Sequence, residues 1–327
     1  MSINSCFLVS VRCFTFNHSS YIKSTFDGFT SQQTNFPFVC IIVDDASTDG
    51  EPDVIKQYYN ENFNIADKTI VKYQETADYT LMFAQHKTNK NCYFAVYLLK
   101  YNHYSIKKNK FPYISEYNDV VKYNALCEGD DYWIDSSKLQ KQVDFMESHD
   151  DYSMCFHNSK VLNETDQKRT LVPIRDREYS ADELFEEWIV PTASILQRHD
   201  VQIKILEDKN IINGDINIVL NACAHGKVRG FSDVMAVYRI QCNGLTIKRA
   251  TDDFLGLQKR YINHYKTLKR IYPFLSNRVY KKKMADTYIN IGTSSLKINM
   301  LEAICFLIKG FAYSPIRFFE RVVNLIK

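Results

Sequence analysis

The chain has 327 residues, of which 45% are apolar and 24% charged, proportions that are ordinary for a globular protein. A formal net charge of +3 is too small to indicate nucleic-acid binding, and no cluster of arginines is present. The nine cysteines are scattered, odd in number and form no CxxC pair. We therefore expect free thiols in a reducing compartment, and neither a disulfide framework nor a zinc site.

The N-terminus carries no basic segment ahead of its apolar stretch and no small-residue cleavage site, so it predicts a first strand and not an export signal. No run of about 18 apolar residues occurs anywhere, which excludes a membrane-spanning helix at the level of sequence.

The first part of the chain alternates between strand and helix patterns. Strands are predicted at 6–11, 38–43 and 69–73, and helices at 21–29 and 52–59. This rhythm indicates an α/β fold with a mostly parallel central sheet flanked by helices. Ligands of such sheets bind at the carboxyl ends of the strands.

The remainder is less regular. Segment 74–123 shows no clear period, and we expect a helix plus an irregular excursion there. Further elements are predicted in chain order, namely a helix at 136–149, a strand at 152–157, a helix opened by a Ser180–Glu183 capping box, a strand at 189–196, a helix at 216–225 and a strand at 231–239. From residue 254 helix-forming residues dominate. We predict a catalytic domain over 1–245 and a helical C-terminal extension over 246–327.

Two acidic clusters follow predicted strands, one at 44–49 and one at 128–131. Both fall at carboxyl ends of strands, where a parallel sheet would bring them to one edge. Crowded carboxylates repel one another and are tolerated when a cation or a donor network neutralises them. Their oxygens suit Mg²⁺ or Mn²⁺ bridging to a phosphate. The alternative is an acidic surface turn.

Five short motifs occur in a fixed order between residues 5 and 245. They are Phe14-Thr15-Phe16-Asn17-His18 with Tyr21-Ile22, Ile42-Val43-Asp44-Asp45-Ala46-Ser47-Thr48-Asp49-Gly50, Leu126-Cys127-Glu128-Gly129-Asp130-Asp131-Tyr132-Trp133 with Lys138-Leu139-Gln140-Lys141-Gln142, Gly214-Asp215, and Val234-Met235-Ala236-Val237-Tyr238-Arg239. In this order they resemble the bacterial family-2 glycosyltransferases, which are inverting enzymes with a Rossmann-like GT-A fold.

The resemblance implies transfer of a sugar from a nucleotide-diphosphate donor to a hydroxyl group. It places Thr15 and Asn17 on the loop that holds the nucleotide, although both could simply cap the following helix. One acid of the Asp44-Asp45 pair would contact the base, and we favour Asp44, with Asp45 near the cap of the next helix.

The turn at 128–131 resembles the family's metal-binding D-x-D region, with Glu128 in place of the usual first aspartate. The resemblance assigns Asp131 to a Mn²⁺ or Mg²⁺ ion, Asp130 to the ribose or the metal, and Glu128 to the metal with the weakest support. It does not decide whether Trp133 contacts the sugar or fills the core; we favour the core.

Asp215 matches the position of the family's general base, and its alternative role is the N-terminal cap of a helix. Arg239 would contact the diphosphate or, as a strand-end arginine, form a salt bridge. Relatives often carry a histidine after the Tyr-Arg pair, whereas this chain has Gln241 two residues beyond Arg239. That departure puts one metal or diphosphate contact in doubt.

The tail from Leu301 to Lys327 alternates apolar and basic residues and is divided by Pro315. Its apolar face could lie on an anionic membrane surface or pack on the catalytic domain. Membrane contact would suit a lipid-linked acceptor.

The resemblance therefore implies a metal-dependent glycosyltransferase of the hexosyltransferase type, with a UDP-sugar as the favoured donor and a glycan or lipid-linked acceptor. We expect a role in surface polysaccharide or lipopolysaccharide synthesis, in the cytoplasm or on the inner face of the membrane. The Gln-x-x-Arg-Trp motif of processive synthases is absent, which favours transfer of a single sugar.

Three other functions compete with this interpretation. A sugar-phosphate nucleotidyltransferase would need a glycine-rich basic loop, which residues 14–20 lack. A glycoside hydrolase would need paired carboxylates but no nucleotide site. A degenerate, non-catalytic binding module gains some support from Glu128 and Gln241.

Overall fold

A computed structural model describes residues 7–164, 171–241, 253–296 and 298–326. The chain divides into two compact units. The sheet unit comprises the described residues within Met1–Glu178, Ile189–Ile203 and His225–Ile240, and the helical unit those within Tyr179–Trp188, Lys204–Ala224 and Gln241–Lys327. The domain boundary predicted at residue 245 remains a prediction.

The sheet unit is built on one sheet, which has eleven strands among the described residues. The strands are β1 Val9–Thr15, β2 Phe38–Asp44, β3 Lys72–Glu75, β4 Tyr79–Gln85, β5 Cys92–Leu99, β6 Tyr123–Leu126, β7 Tyr132–Trp133, β8 Tyr152–Asn163, β9 Arg177–Glu178, β10 Leu196–Arg198 and β11 Lys227–Ile240. Their spatial order is β3-β4-β5-β2-β1-β6-β10-β8-β11-β7, with β9 on β11. The flanking helices are α1 Ile22–Thr30, α2 Glu51–Asn62, α3 Phe111–Asn118, α4 Lys138–Ser148 and α6 His199–Gln202.

The centre of the sheet, β5-β2-β1-β6, is parallel. Antiparallel strands extend it on both sides, through β4 at one edge and β10 at the other. β2 is buried along its whole length, as expected for an apolar strand covered on both faces. In the register of the three middle strands, Thr15 lies beside Asp44 and Arg12 beside Leu126. The α/β fold expected from the sequence is therefore confirmed.

The expectation for segment 74–123 was only partly right, because the helix is present but two strands were missed. This segment contains β4, the parallel strand β5, helix α3 and the start of β6. The predicted strand at 69–73 is also not a central one: β3 begins at Lys72 and pairs antiparallel with β4 at the sheet edge. The third central strand is β5, whose apolar residues 92–99 are almost all buried. A continuous apolar run was present in the sequence, but the flanking tyrosines and lysines obscured its ends.

Other helix and strand boundaries also differ from those predicted. The predicted strand at 189–196 is a 3-10 turn, Thr192–Ser194, followed by the three-residue β10. β8 and β11 extend beyond their predicted ends. The capping box is confirmed, because the Ser180 side chain accepts a hydrogen bond from the Glu183 backbone and the Glu183 carboxylate accepts one from the Ser180 backbone. Residue 6 of the first predicted strand lies outside the described residues.

Helix α1 packs closely on the short strand β7. A Cβ atom at Gly28 would lie 2.8 Å from both the backbone nitrogen and the backbone oxygen of Trp133, so only glycine allows this approach. The Trp133 ring is buried, packs on Phe29 and donates a hydrogen bond to the Ala193 carbonyl at 2.8 Å. Trp133 is therefore a core residue, as favoured from the sequence.

The helical unit contains α5 Ala181–Glu186, most of α7 Gly214–His225, α8 Phe254–Ile271, α9 Asn277–Ser295, α10 Met300–Tyr313 and α11 Pro315–Ile326. Its core includes Phe185, Leu220 and Leu268. α10 lies against α9 at two glycines, since a Cβ at Gly292 would lie 2.7 Å from Leu307 and one at Gly310 would lie 2.9 Å from Ile289. Within the described residues, no helix combines the length and apolar character needed to cross a bilayer.

Candidate active site

The two acidic clusters of the sheet unit meet at the carboxyl end of β1. The backbone N–H of Asp45 donates to the Thr15 carbonyl at 3.0 Å, which places the end of β2 beside the end of β1. On the other side of β1, the Gly129 N–H donates to the Phe14 carbonyl at 3.2 Å. Residues 44–49 and 128–131 therefore lie at one edge of the parallel sheet, as the strand-end positions predicted.

Glu51, the first residue of α2, organises the loops at this edge and was missed by the sequence analysis. Its carboxylate is fully buried and accepts hydrogen bonds from the Thr15 hydroxyl at 2.5 Å, the His18 backbone N–H at 2.8 Å and the Ser47 hydroxyl at 2.9 Å. Three donors compensate the desolvation of this charge. Glu51 thereby joins the loop after β1 to the loop after β2.

Asn17 makes a second connection between the same two loops. Its backbone has a positive φ of 57°, a left-handed conformation that asparagine tolerates better than most residues. Its N–H donates to the Ser47 hydroxyl and its side-chain oxygen accepts from the Thr48 N–H, both at 2.8 Å. Thr15 and Asn17 thus hold the loops in place, and their contact with a nucleotide remains a prediction.

Asp44, the last residue of β2, is a buried carboxylate with incomplete hydrogen bonding. One oxygen, Oδ2, accepts from the Ser47 N–H at 3.2 Å, whereas Oδ1 has no hydrogen-bond partner within the described part of the chain. Burial is the main reason why the pKa of Asp44 is raised to about 6, with repulsion from Glu51 and Asp45 adding to it. A buried acceptor without a donor is what a ligand N–H group could satisfy.

Asp45 has a different role from the one expected. Its carboxylate accepts from the backbone N–H groups of His103 at 2.8 Å and Tyr104 at 3.0 Å, and pairs with the Lys110 ammonium at 2.7 Å. The cap of α2 is Gly50, with a φ of 89°. The interpretation of Asp45 as a residue near the helix cap was therefore wrong. Asp45 anchors the segment from residue 102 to 110, and these partners are too far along the chain to be recognised from the residues around Asp45.

The acidic turn after β6 buries Asp131, which is 2% exposed. Its Oδ1 accepts from the Arg239 backbone N–H at 2.8 Å. Burial raises the pKa of Asp131 well above its usual range, and repulsion from Asp130 and Glu128 contributes further. The turn itself is held by the Thr25 hydroxyl, which donates to the carbonyl oxygens of Gly129 and Asp131.

The other acids of the turn are more accessible. Glu128 is exposed, and Asp130 is partly exposed with its Oδ2 3.9 Å from Nε2 of His18. Gly129 between them packs on Thr15, because a Cβ atom there would lie 2.1 Å from the Thr15 Oγ1. The structure thus brings Thr15 next to the acidic turn at 128–131, which contains Glu128 and Asp130.

Arg239 forms the salt bridge that the sequence analysis considered as an alternative. Its guanidinium donates to the Glu164 carboxylate at 2.9 Å and to the Asp130 carbonyl at 3.0 Å, and lies 4.4 Å from the centre of the Tyr21 ring. Tyr21 also donates its hydroxyl to Glu164. Arg239 stabilises the back of the acidic turn, and its contact with a diphosphate remains a prediction.

Asp215 lies in the first turn of α7, in the helical unit, and is partly buried. The side-chain oxygen of Asn213 accepts from the backbone N–H groups of Asp215 at 3.1 Å and Ile216 at 3.4 Å. Asn213 therefore fulfils the capping role that was the alternative for Asp215. The assignment of Asp215 as general base stays a prediction.

No group of three or more His, Cys, Asp and Glu side chains is arranged to hold a metal ion in the described part of the chain. The donor chemistry of the acidic turn nevertheless fits Mg²⁺ or Mn²⁺, since these ions use one or two carboxylates together with substrate phosphate oxygens. The mutual repulsion of Asp131, Asp130 and Glu128 is the electrostatic situation that a cation would relieve.

Comparison with known proteins shows which sequences and structures this chain resembles. The model of the family described as "Glycosyl transferase family 2" matches residues 10–75, which include β1, β2 and the loops that Glu51 joins. The chain is 28% identical over 251 residues to uncharacterised proteins of Mycobacterium tuberculosis (Rv1520) and Mycobacterium bovis (Mb1547). The match covers 75% of this chain and 62% of those relatives, so it spans less than two thirds of their length.

Solved structures share the fold. S. aureus TarS 1–349 in complex with UDP-GlcNAc has a TM-score of 0.56 at 14% identity, covering 95% of this chain and 83% of that one. The mannosyltransferase PcManGT from Pyrobaculum calidifontis, in complex with GDP-Man and Mn²⁺, has a TM-score of 0.54 at 13% identity, covering 95% and 82%. The family model therefore matches the first part of the sheet unit, and the solved structures show that the fold is shared; both findings agree with the resemblance seen in the sequence.

Proposed function

We propose that this chain is an inverting glycosyltransferase that moves a single sugar from a nucleotide-diphosphate donor, a UDP-sugar by preference, to a hydroxyl of a glycan or lipid-linked acceptor. The observation that carries the proposal is the buried Asp44 carboxylate at the end of β2, whose Oδ1 lacks a partner in the described chain. The imide N–H of uracil would supply the missing donor. The acidic turn at 128–131 lies at the same sheet edge, where the diphosphate would follow the nucleoside.

The diphosphate leaving group carries charge that must be neutralised as the sugar bond breaks. Asp131, Asp130 and Glu128 would hold a Mn²⁺ or Mg²⁺ ion for this purpose, and the bound ion would supply electrostatic stabilisation of the departing diphosphate. The presence of Mn²⁺ in the neighbouring PcManGT complex supports the choice of a divalent ion. The turn that carries these three acids is itself held in place by Thr25 and Arg239, which donate hydrogen bonds to its backbone carbonyl groups.

The acceptor hydroxyl needs a base, and we assign this role to Asp215. Asn213 already caps α7, and a carboxylate near the positive end of a helix is favoured in its ionised form. Attack on the face opposite the leaving group would then invert the anomeric carbon.

We further propose that α10 and α11 contact an anionic membrane surface, where a lipid-linked acceptor would be found. Apolar side chains at i, i+3 and i+7 spacing are exposed on α10, namely Leu301, Ile304 and Ile308, with Ile316 and Phe319 on α11. Membrane contact of this kind would place the protein in the cytoplasm, at the inner face of the membrane. It would suit a role in surface polysaccharide or lipopolysaccharide synthesis.

The hydrolysis of nucleotide sugars with and without Mn²⁺ tests the proposed chemistry, using wild type and Asp131→Asn. Asparagine keeps an oxygen that can accept from the Arg239 N–H but removes the charge that would bind the ion. We expect metal-stimulated turnover to fall about 100-fold or more with the fold retained. Metal-independent activity of equal size in both proteins would overturn the assignment.

Asp215→Asn tests the base separately. We expect donor affinity within about twofold of wild type and a loss of transfer of roughly 100- to 10,000-fold. Loss of donor affinity instead would indicate a structural role for Asp215.

Sedimentation with anionic liposomes tests the membrane proposal. The unsubstituted chain should sediment, whereas Ile304→Ser/Ile308→Ser, which changes only exposed side chains, should remain in the supernatant. Equal binding by both forms, or by neither, would refute a membrane role for α10.

A further inference from the structure

The imidazole of His18 lies between Thr15 and the acidic turn. Its Nδ1 is 3.2 Å from the Thr15 Oγ1, and its Nε2 is 3.9 Å from the Asp130 Oδ2. The side chain is 20% exposed, so Nε2 can be reached by a small ligand. In the sequence, His18 stands out only as part of the motif Phe14-Thr15-Phe16-Asn17-His18.

The hydrogen-bond partners of Thr15 fix the position of the imidazole proton. A threonine hydroxyl has one hydrogen, and that of Thr15 is donated to the Glu51 carboxylate at 2.5 Å, because a carboxylate can only accept. The Thr15 oxygen must then accept the hydrogen bond from His18. Nδ1 therefore carries the proton, and in a neutral imidazole Nε2 presents a lone pair towards Asp130.

Where Nε2 carries no proton, its lone pair and the Asp130 carboxylate repel each other unless a cation lies between them. The separation of 3.9 Å is too long for a hydrogen bond. Neighbouring ligands of one octahedral ion lie about 3 Å apart, so a small movement of either side chain would bring both atoms onto the same ion.

The backbone holds His18 in this position from two sides. Its N–H donates to the second oxygen of Glu51 at 2.8 Å. From the other side, Gly129 leaves room for the pair, because a Cβ there would lie 2.1 Å from the Thr15 Oγ1 and 3.1 Å from the His18 Nδ1. The arrangement is thus built into two loops and does not depend on one flexible side chain.

We propose that His18 Nε2, together with Asp130, is a ligand of the divalent cation that neutralises the donor diphosphate, and that Glu51 and Thr15 fix the tautomer that makes it a ligand. Metal-binding histidines usually donate their other ring N–H to a fixed acceptor that orients the ring, and here that acceptor is the Thr15 hydroxyl, which Glu51 holds in place. The inference rests on the proposed function, because the remaining ligands would be phosphate oxygens of the donor.

Pulsed electron paramagnetic resonance of Mn²⁺ with UDP measures the ligand directly. We expect ¹⁴N modulation from a bound imidazole in wild type and in the control His149→Gln, whose exposed ring stacks on Phe145 away from the site. His18→Gln should abolish the modulation and weaken Mn²⁺ binding about 10- to 100-fold. Thr15→Ser, which keeps the hydroxyl, should retain Mn²⁺ affinity, whereas Thr15→Val should lower it.

The outcomes separate this inference from the proposed function. Binding of Mn²⁺ with UDP but without ¹⁴N modulation would overturn the role of His18 and leave the glycosyltransferase assignment intact. If His18→Gln instead weakens UDP binding equally with and without Mn²⁺, the ring contacts the diphosphate and the ligand role is wrong. Failure of Mn²⁺ to bind in the presence of UDP would overturn both.

Discussion

Asp44→Asn should make the protein more stable while weakening its binding of UDP. Burial raises the pKa of Asp44 from 3.8 to about 6. Because the folded-state pKa is above the unfolded-state value, the native protein loses stability as the pH rises through about 4 to 6, and the full cost is present above that window. This difference between the folded-state and unfolded-state pKa corresponds to roughly 3 kcal/mol at neutral pH.

Asparagine has the same shape as aspartate and keeps an oxygen that can accept from the Ser47 N–H. We therefore expect Asp44→Asn to increase the free energy of unfolding at pH 7.5 by about 1–3 kcal/mol, with the gain disappearing as the pH falls below 3.8, where Asp44 becomes protonated in both states. Thermal unfolding across this pH range measures the effect. Asp53→Asn, at an exposed position on α2, is the matched control and should show little change.

The same variant should bind UDP about 10- to 100-fold more weakly, because a hydrogen bond to a charged acceptor is worth roughly 1.5–3 kcal/mol. Isothermal titration calorimetry at pH 7.5 measures this loss. Two results would refute the reasoning: a lower stability of Asp44→Asn at pH 7.5, which would mean that the carboxylate is well compensated, or an unchanged affinity for UDP.

Three further substitutions test how the site is built. Gly129→Ala should lower the melting temperature, since its Cβ would overlap the Thr15 hydroxyl, and adding Thr15→Ala should recover part of the loss in calorimetry; an unchanged melting temperature would contradict this packing. Burial lowers the pKa of Lys138 to about 7, which makes the charged form costly in the folded protein. Lys138→Met should therefore stabilise the protein by about 1–3 kcal/mol at pH 6.5, and this gain should disappear as the pH rises towards 10.5. An equal effect of the substitution at both pH values would argue against a buried ammonium. Asp45→Asn should speed hydrogen exchange at residues 102–110, which lose the pairing with Lys110, whereas unchanged exchange would show that the segment is held elsewhere.

The sequence was sufficient to locate the central strands β1 and β2 and the acidic edge. β2 is a continuous apolar run that ends in an acid, and such a run predicts both a strand covered on two faces and a polar residue at its carboxyl end. The turn at 128–131 could be placed at the same edge for the same reason. Each of these features is formed by residues that are close together in the sequence, so each can be recognised from a short stretch of the chain.

The partners of the site residues could not be predicted, because they come from distant parts of the chain. Nothing near Glu51 in the sequence indicates that it accepts from Thr15 and His18, and nothing near Asp45 indicates that it anchors residues 102–110. The pairing of Arg239 with Glu164 likewise depends on β8 and β11 lying side by side. Contacts of this kind are set by topology, which the pattern of apolar residues does not specify in detail.

The central claim is that the acids at the ends of β2 and β6 form one site for the nucleotide and its cation. A crystal structure of the protein with UDP and Mn²⁺ tests this claim most directly. We expect the uracil N–H to donate to the free oxygen of Asp44 and the ion to bridge the acidic turn at 128–131 and the diphosphate. Nucleotide bound at another face of the sheet, or an ion with no ligand from that turn, would contradict it.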